Sequence, residues 1–245
     1  MKVLAFDMDG TLTPSKENVS DKVLSLLTTL SERYSIFILS GASFAHLKSQ
    51  FIDLLSDDFD FSKLHISSSC GGSYFRFINS RERVIEVYTE RLDPTIKREL
   101  IFDLEFHAKI NGIWVDKAFG DIIEDRGSSV TYSLLGQAAP IEIKSQFDPL
   151  GRKRSLLKSV LAPKYPTLDF RLGGVSSIDI TLKGVDKGYG MNRFIYENGL
   201  SADDITYFGD RFEEGGNDFP VISTGVKIVP VSGVEETISL LNGYF

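Results

Sequence analysis

The chain has 245 residues, of which 42% are hydrophobic and 25% are charged, and its formal net charge is −7 at pH 7. This composition is typical of a folded globular protein and excludes the disordered and membrane-spanning classes. A nucleic-acid partner is not expected, because binding to a phosphate backbone needs a basic face.

The amino-terminal apolar stretch is interrupted at Asp7 and is too short for a secretory signal or a membrane span. The single cysteine, Cys70, excludes an intramolecular disulfide and fits a reducing compartment. We therefore predict a cytoplasmic protein without membrane contact.

Strand and helix patterns alternate through the first part of the chain. An apolar run at residues 2–6 predicts a buried parallel strand that ends in two acids, Asp7 and Asp9. Ser20 caps a predicted helix, and the next strand covers residues 35–39. The elements predicted after it are a helix over 43–55, a strand over 65–69, and a hairpin of 74–78 with 84–88.

The pattern changes near residue 93. The elements predicted there, in chain order, are a helix over 94–110, strands over 121–124 and 129–135, a helix over 148–162, and strands over 168–172 and 177–182. This αββαββ order predicts an inserted α+β cap domain over residues 89–184. The elements predicted after the cap are a helix over 186–198, strands over 205–208 and 226–231, and a final helix.

Residues 1–88 and 185–245 are then expected to form one α/β core domain, with a doubly wound, Rossmann-like parallel sheet. In such sheets, ligands bind beyond the carboxyl ends of the strands. Asp7, Asp9 and Asp210 each follow a predicted strand. We therefore expect these three acids to meet at one edge of the sheet.

The strongest motif is Asp7-Met8-Asp9-Gly10-Thr11. A carboxylate nucleophile can attack phosphorus and divide a difficult displacement into two easier steps, and we assign that role to Asp7. A second carboxylate can protonate the leaving oxygen and later deprotonate the incoming water or hydroxyl, which is the role of Asp9. Gly10 lets the chain turn sharply enough to point both acids into one site. The motif predicts a phosphoryl-transfer enzyme.

This motif resembles the first motif of the haloacid dehalogenase superfamily, and the second and third follow in order. The resemblance implies that Ser40 donates a hydrogen bond to the transferring phosphoryl group, with Gly41 beside it in contact with substrate. It also implies that Lys187, in Gly184-Val185-Asp186-Lys187-Gly188, balances the charge of nucleophile and phosphate.

The fourth motif of that superfamily is acidic and matches Gly209-Asp210 followed by Gly215-Gly216-Asn217-Asp218. Magnesium prefers oxygen ligands in an octahedron. The resemblance implies Mg²⁺ as cofactor, held by Asp7, Asp210 and the backbone carbonyl of Asp9, with Asp218 close by or bound through water.

An insertion between the second and third motifs is the place of the cap in subclass IIB of the superfamily, which mostly handles phosphorylated sugars. Within that subclass the chain is most similar to the eukaryotic-type phosphomannomutases, through Tyr207-Phe208-Gly209-Asp210 and the stretch 173–179. The resemblance implies that Arg126, Ser177 and Asp179 hold the sugar phosphate, and Lys16 stands where the mutases have an arginine. It also raises a homodimer through the cap as an option.

Two departures distinguish the chain from the mutases. Where they carry further cap arginines, this chain has Ser133 and Gln137, and neutral side chains cannot replace a bidentate guanidinium. The residues after Asp218 also lack the acidic continuation of the mutases. A basic run, Arg152-Lys153-Arg154, is more typical of a solvated helix face than of a phosphate site.

We therefore expect a magnesium-dependent phosphatase that hydrolyses a small phosphorylated sugar through an aspartyl-phosphate on Asp7. The alternative is a phosphomannomutase-like phosphotransferase that interconverts hexose 1- and 6-phosphates. A remote alternative is a non-catalytic phospho-acceptor module, which would leave Asp9 and the cap unexplained.

Overall fold

The computed structural model describes residues 2–14 and 17–244, and the chain divides into two compact units. Unit 1 comprises Met1–Thr89 and Asp186–Phe245, and unit 2 comprises Glu90–Val185. Across the described residues, none of the helices combines the length and apolarity that a membrane span needs.

The regular elements of the described residues are numbered in chain order. The strands are β1 Val3–Phe6, β2 Ser35–Leu39, β3 Leu64–Ser68, β4 Ser73–Phe77, β5 Val84–Thr89, β6 Ile123–Asp125, β7 Ser129–Ser133, β8 Leu168–Gly173, β9 Ser177–Leu182, β10 Ile205–Gly209 and β11 Lys227–Pro230. The α-helices are α1 Asp21–Ser31, α2 Phe44–Gln50, α3 Pro94–Ile110, α4 Ile141–Phe147, α5 Arg152–Leu161, α6 Lys187–Asn198 and α7 Val234–Leu241.

Unit 1 is built on a seven-stranded sheet in the order β11-β10-β1-β2-β3-β4-β5. The first five strands in that order are parallel, and β4 and β5 add an antiparallel hairpin at one edge. Strand β1 lies between β10 and β2, so the residues that follow these strands emerge at the same edge of the sheet. This arrangement confirms the predicted parallel-sheet α/β core.

Helices pack on both faces of that sheet because side chains along a strand alternate between the faces. Leu4 and Phe6 lie in one core with the apolar residues of α1 and α7, whereas Val3 and Ala5 lie in a second core with Met191 of α6. The sheet is therefore doubly wound, as the sequence predicted.

Unit 2 contains a four-stranded antiparallel sheet in the order β6-β7-β9-β8. One face packs on α3 and α5 through a single apolar core. Thr131 and Arg171 are both paired in register with Asp179, so the three lie across neighbouring strands on the other, polar face.

Two predicted helices differ from the observed ones. The helix expected over residues 43–55 is α-helical only to Gln50 and then becomes a short 3₁₀ turn at Ile52–Leu54. The helix expected over 148–162 begins at Arg152, because Gly151 is left-handed with φ of 66° and breaks the helix there. The additional helix α4 precedes it, so the order in unit 2 is αββααββ rather than αββαββ.

Candidate active site

The loop after β1 carries the predicted nucleophile and its partner acid. Asp7 is 2% exposed, and its backbone N–H donates to the carbonyl of Phe208 on β10 at 2.9 Å. Gly10 is left-handed with φ of 82°, which lets the loop turn back on itself. Asp9 is half-buried and forms an isolated backbone bridge with Thr13.

Lys187, the first residue of α6, is fully buried against two carboxylates. Its Nζ lies 2.6 Å from Asp7 Oδ1 and 2.8 Å from Asp218 Oδ1. Asp186 caps the helix by accepting a hydrogen bond from the N–H of Tyr189. A single ammonium group therefore bridges the predicted nucleophile and an acid of the fourth motif.

Asp218 accepts hydrogen bonds from several donors. Its Oδ1 accepts hydrogen bonds from Tyr207 Oη at 2.5 Å and Lys187 Nζ at 2.8 Å, while its Oδ2 accepts from the backbone N–H of Arg211 at 3.1 Å. The Asp218 side chain is completely buried. Its main contact is therefore with Lys187, which the motif pattern alone did not indicate.

Burial and the charge of the oppositely charged partner shift the pKa values of Asp7 and Lys187 in opposite directions. Burial raises the pKa of Asp7 to about 8, although the Lys187 ammonium opposes the shift, and the Asp218 and Asp210 charges add to it. Burial and the Asp218 charge likewise raise the pKa of Asp210. Burial lowers the pKa of Lys187, but its two carboxylate partners outweigh that effect and raise it above its usual range. One ammonium thus faces three carboxyl groups and cannot balance all of them when they are ionised, so a bound cation would favour the ionised carboxylates.

The donor set also fits a divalent cation. Within the described residues, Asp7, Asp210 and Asp218 offer carboxylate oxygens that all lie within 4.8 Å of one another. Asp210 Oδ1 and Asn217 Oδ1 are buried and have no hydrogen-bond partner. Buried oxygens without donors are costly unless something satisfies them, and a hard cation prefers oxygen ligands.

Ser40 and Gly41 follow β2, the strand next to β1. Since Phe6 is paired with Ile38, Ser40 emerges at the same edge of the sheet as Asp7. Ser40 is 1% exposed, and its Oγ accepts a hydrogen bond from the N–H of Ala42 at 3.1 Å. The loop is also fixed from behind, because the Ser40 carbonyl accepts from the N–H of Cys70 at 2.9 Å.

In unit 2, two of the three predicted sugar-phosphate residues contact each other. Arg126 lies 2.7 Å from Glu124 and 3.6 Å from Asp179, and Thr131 donates to Asp179 at 2.7 Å. Ser177, two residues before Asp179, donates to the carbonyl of Gly173 at 2.8 Å. Another predicted substrate residue, Lys16, lies outside the described residues.

The basic run in unit 2 is only partly the solvated helix face that we predicted, because Arg152 is exposed whereas Arg154 is buried. Arg154 is 6% exposed; its Nε donates to Asp148 at 2.9 Å, and its Nη1 donates to the carbonyls of Gly173 and Gly174 at 3.2 Å. The prediction was wrong for Arg154, because Asp148 lies before the helix and accepts hydrogen bonds from the guanidinium as well as from the first N–H groups of the helix. Arg154 thus fixes the loop that carries Ser177.

The chain is similar to known proteins of one family over most of its length. The family model for eukaryotic phosphomannomutase matches residues 23–243, which cover all of unit 2 and most of unit 1. The chain belongs to this family. It is 28% identical over 226 residues to a phosphomannomutase of Encephalitozoon cuniculi, covering 89% of this chain and 83% of that protein. With the Saccharomyces cerevisiae phosphomannomutase it shares 26% identity over 250 residues, covering 99% and 94% of the two chains.

Solved structures show the same fold. A haloacid dehalogenase-like hydrolase from Bacteroides thetaiotaomicron matches with a TM-score of 0.68 and 16% identity, covering 100% of this chain and 99% of that one. The predicted membership of the haloacid dehalogenase superfamily is therefore confirmed, together with the phosphomannomutase resemblance. The chain is an enzyme of this superfamily, and its similarity to phosphomannomutases supports phosphoryl-transfer chemistry.

Proposed function

We propose that this enzyme is a phosphomannomutase-type phosphotransferase that moves a phosphoryl group between positions of a small phosphorylated sugar by way of Asp7. The observation that carries the proposal is the family match, which continues through unit 2 as well as unit 1. The sequence favoured hydrolysis of such a sugar, and family membership now favours the alternative.

The proposed reaction begins at the buried end of β1. An Asp7 carboxylate oxygen attacks phosphorus, and the bond between phosphorus and the sugar oxygen breaks while Asp9 gives that oxygen a proton. In the second half, Asp9 takes the proton from a hydroxyl of the sugar as that hydroxyl attacks the phosphorus of the aspartyl-phosphate. The bond to Asp7 then breaks, and its carboxylate is regenerated.

Three residues of unit 1 support this exchange. The Lys187 ammonium, already 2.6 Å from Asp7, balances the negative charge that collects on the nucleophile and the phosphoryl oxygens. Ser40, at the same sheet edge, donates to a phosphoryl oxygen, and Gly41 leaves room beside it. Since little covalent chemistry falls to other groups, positioning and charge provide most of the rate.

We assign Mg²⁺ to the acidic cluster. Asp7, Asp210 and the backbone carbonyl of Asp9 would hold it, and the buried Asp210 Oδ1 has no other partner. When bound, the ion neutralises charge on the transferring phosphoryl group. Asp218 differs from Asp210 because both of its oxygens already accept hydrogen bonds, so we assign it chiefly to the positioning of Lys187.

Hydrolysis stays the second candidate because two arginines of unit 2, Arg126 and Arg171, are already paired with carboxylates. Arg126 is paired with two carboxylates, and Arg171 lies 3.0 Å from Asp169. Ser133 is buried and donates to the carbonyl of Gly136, so it offers no charge for a second phosphate. If Arg126, Ser177 and Asp179 hold only one sugar phosphate, water replaces the second sugar hydroxyl as the acceptor.

One paired assay separates these functions. The purified enzyme with Mg²⁺ is given mannose 1-phosphate and a hexose bisphosphate, and both mannose 6-phosphate and free phosphate are measured. Isomerisation without net phosphate release supports the proposal, whereas phosphate release without isomerisation overturns it in favour of hydrolysis.

Two variants test the nucleophile within the same assay. Asp7→Asn is expected to abolish both products, whereas Asp57→Asn, which changes a carboxylate that is 98% exposed, is expected to keep full activity. Full activity in Asp7→Asn would remove Asp7 from the mechanism.

A further inference from the structure

Tyr207 is a buried tyrosine of β10 whose hydroxyl lies inside the ion-pair cluster around Lys187. Its Oη lies 2.5 Å from Asp218 Oδ1 and 3.4 Å from Lys187 Nζ. Its ring is held in place by an edge contact with Phe212, with ring centroids 6.0 Å apart. The position therefore combines an apolar ring in the core with a hydroxyl among charged groups.

The contacts form a line of four groups from Tyr207 to the nucleophile. Tyr207 donates to Asp218, Asp218 accepts from Lys187, and Lys187 donates to Asp7. All four residues are 2% exposed or less. Charges in such a water-excluded cluster are weakly screened, so a change at one end of the line affects the other.

The two carboxylate oxygens that accept hydrogen bonds from Lys187 have similar hydrogen-bond environments. Each accepts one further hydrogen bond: Asp7 Oδ1 from the N–H of Met8 at 2.7 Å, and Asp218 Oδ1 from the Tyr207 hydroxyl at 2.5 Å. A hydrogen bond to a carboxylate oxygen reduces the attraction of that oxygen for a second donor. The lysine lies almost midway, 2.6 Å from one oxygen and 2.8 Å from the other.

We propose that Tyr207 is a positioning residue, which weakens the hold of Asp218 on Lys187 and so keeps the ammonium beside Asp7. This inference rests on the proposed function, in which Asp7 is the nucleophile. Without the hydroxyl, Asp218 Oδ1 keeps Lys187 as its sole side-chain donor and draws it away from Asp7. The nucleophile and the transferring phosphoryl group then lose part of their balancing charge.

Tyr207→Phe tests this with the loss of a single oxygen atom and retention of the ring contact with Phe212. We expect kcat to fall about tenfold or more at saturating Mg²⁺, since hydrogen bonds to charged groups are stronger than neutral ones. The KM for the phosphosugar is expected to stay within about twofold of wild type, because the hydroxyl acts through Asp218. A purely structural role would instead lower the midpoint of urea unfolding and leave kcat per folded molecule unchanged.

Tyr74→Phe is the matched control in the same unit. Tyr74 is equally buried, and its hydroxyl bonds to His65 at 2.7 Å and Asn198 at 3.0 Å, outside the Lys187 cluster. This variant is expected to lose stability and to keep its kcat.

A double-variant cycle tests whether Tyr207 acts through Asp218. If it does, Tyr207→Phe causes no further loss of kcat in the Asp218→Asn background. Losses that multiply in the double variant, or a Tyr207→Phe enzyme within about twofold of wild-type kcat, would overturn the inference.

The two proposals fail in different ways. An Asp7→Asn variant that is inactive beside a fully active Tyr207→Phe overturns only the role of Tyr207. A wild-type enzyme that transfers phosphoryl groups neither from phosphosugars nor from acetyl phosphate overturns the proposed function and, with it, the inference.

Discussion

Gly10 and Asp210 approach so closely that a β-carbon at Gly10 would lie 2.4 Å from Asp210 Oδ2. Gly10 also has φ of 82°, a conformation that other residues rarely adopt. The first and fourth motifs therefore interlock at this glycine. We expect Gly10→Ala to displace Asp210 and to reduce kcat/KM for the phosphosugar by about 100-fold or more, as a displacement of about 1 Å can do.

Gly199→Ala is the control that separates the clash from backbone strain. Gly199 also has positive φ, at 60°, but a β-carbon there would meet no atom within 4 Å. This variant is expected to lose about 1 kcal/mol of stability and to retain its activity. Equal loss of activity in the two variants would contradict the role given to the Gly10 and Asp210 contact.

The two acids of the fourth motif are expected to differ in their effect on magnesium. Asp210 Oδ1 is buried without a partner, whereas Asp218 is bonded to Lys187 and Tyr207. Asp210→Asn should raise the Mg²⁺ concentration for half-maximal activity about tenfold or more, because it removes a carboxylate that we propose as a direct ligand. Asp218→Asn should lower kcat with little change in that concentration.

A titration of activity with Mg²⁺ measures both quantities for each variant. A large shift of the Mg²⁺ requirement in Asp218→Asn would show that Asp218 takes part in binding the ion, which the sequence resemblance left open. If both variants lose kcat without any shift of the Mg²⁺ requirement, Asp210 is not a magnesium ligand.

Much of this cluster could be predicted because each of its motifs is short and follows a strand of one parallel sheet. Asp7 follows β1, and Asp210 follows β10, its neighbour in the sheet. The hydrogen bond between Asp218 and Lys187 could not be predicted in the same way. The two residues are 31 positions apart, and their contact depends on how the two side chains are oriented.

Tyr207 and Arg154 illustrate two further limits of sequence patterns. In a strand of apolar residues, Tyr207 is indistinguishable from a core aromatic, and only the structure shows where its hydroxyl lies. Arg154 belongs to a run of basic residues that is typical of solvent exposure. Its burial depends on Gly151, which ends the preceding turn and places Asp148 beside the guanidinium.

The buried pair of Arg154 and Asp148 is expected to hold unit 2 together. Arg154→Met would leave Asp148 buried without its counter-charge and would free the carbonyls of Gly173 and Gly174. Removing one partner of a buried ion pair typically costs about 3–5 kcal/mol. We expect a loss of this size in the free energy of urea unfolding, with faster amide hydrogen exchange at residues 173–177.

Arg152→Met, on the same helix but exposed, is the matched control and should change neither quantity. Should the two variants unfold alike, Arg154 would have no special role in fixing that loop.

His65 gives unit 1 a stability that depends on pH. Burial, with a smaller effect of the Arg76 charge, lowers the pKa of His65 to about 4, and its Nδ1 lies 2.7 Å from Tyr74 Oη. Between about pH 6.5, the usual histidine pKa, and pH 4, the unfolded chain binds a proton that the folded chain does not. The free energy of unfolding therefore falls as the pH is lowered, by about 3 kcal/mol from this residue over that range.

His65→Gln removes the titrating group and should flatten this dependence. Urea unfolding of both proteins at several pH values between 7.5 and 4 measures it. The variant is expected to be less stable than wild type near pH 7.5, because the imidazole contacts are lost, and to approach wild type as the pH falls. Parallel curves for the two proteins would show that His65 binds its proton equally well in the folded and unfolded chains, contrary to its burial on β3.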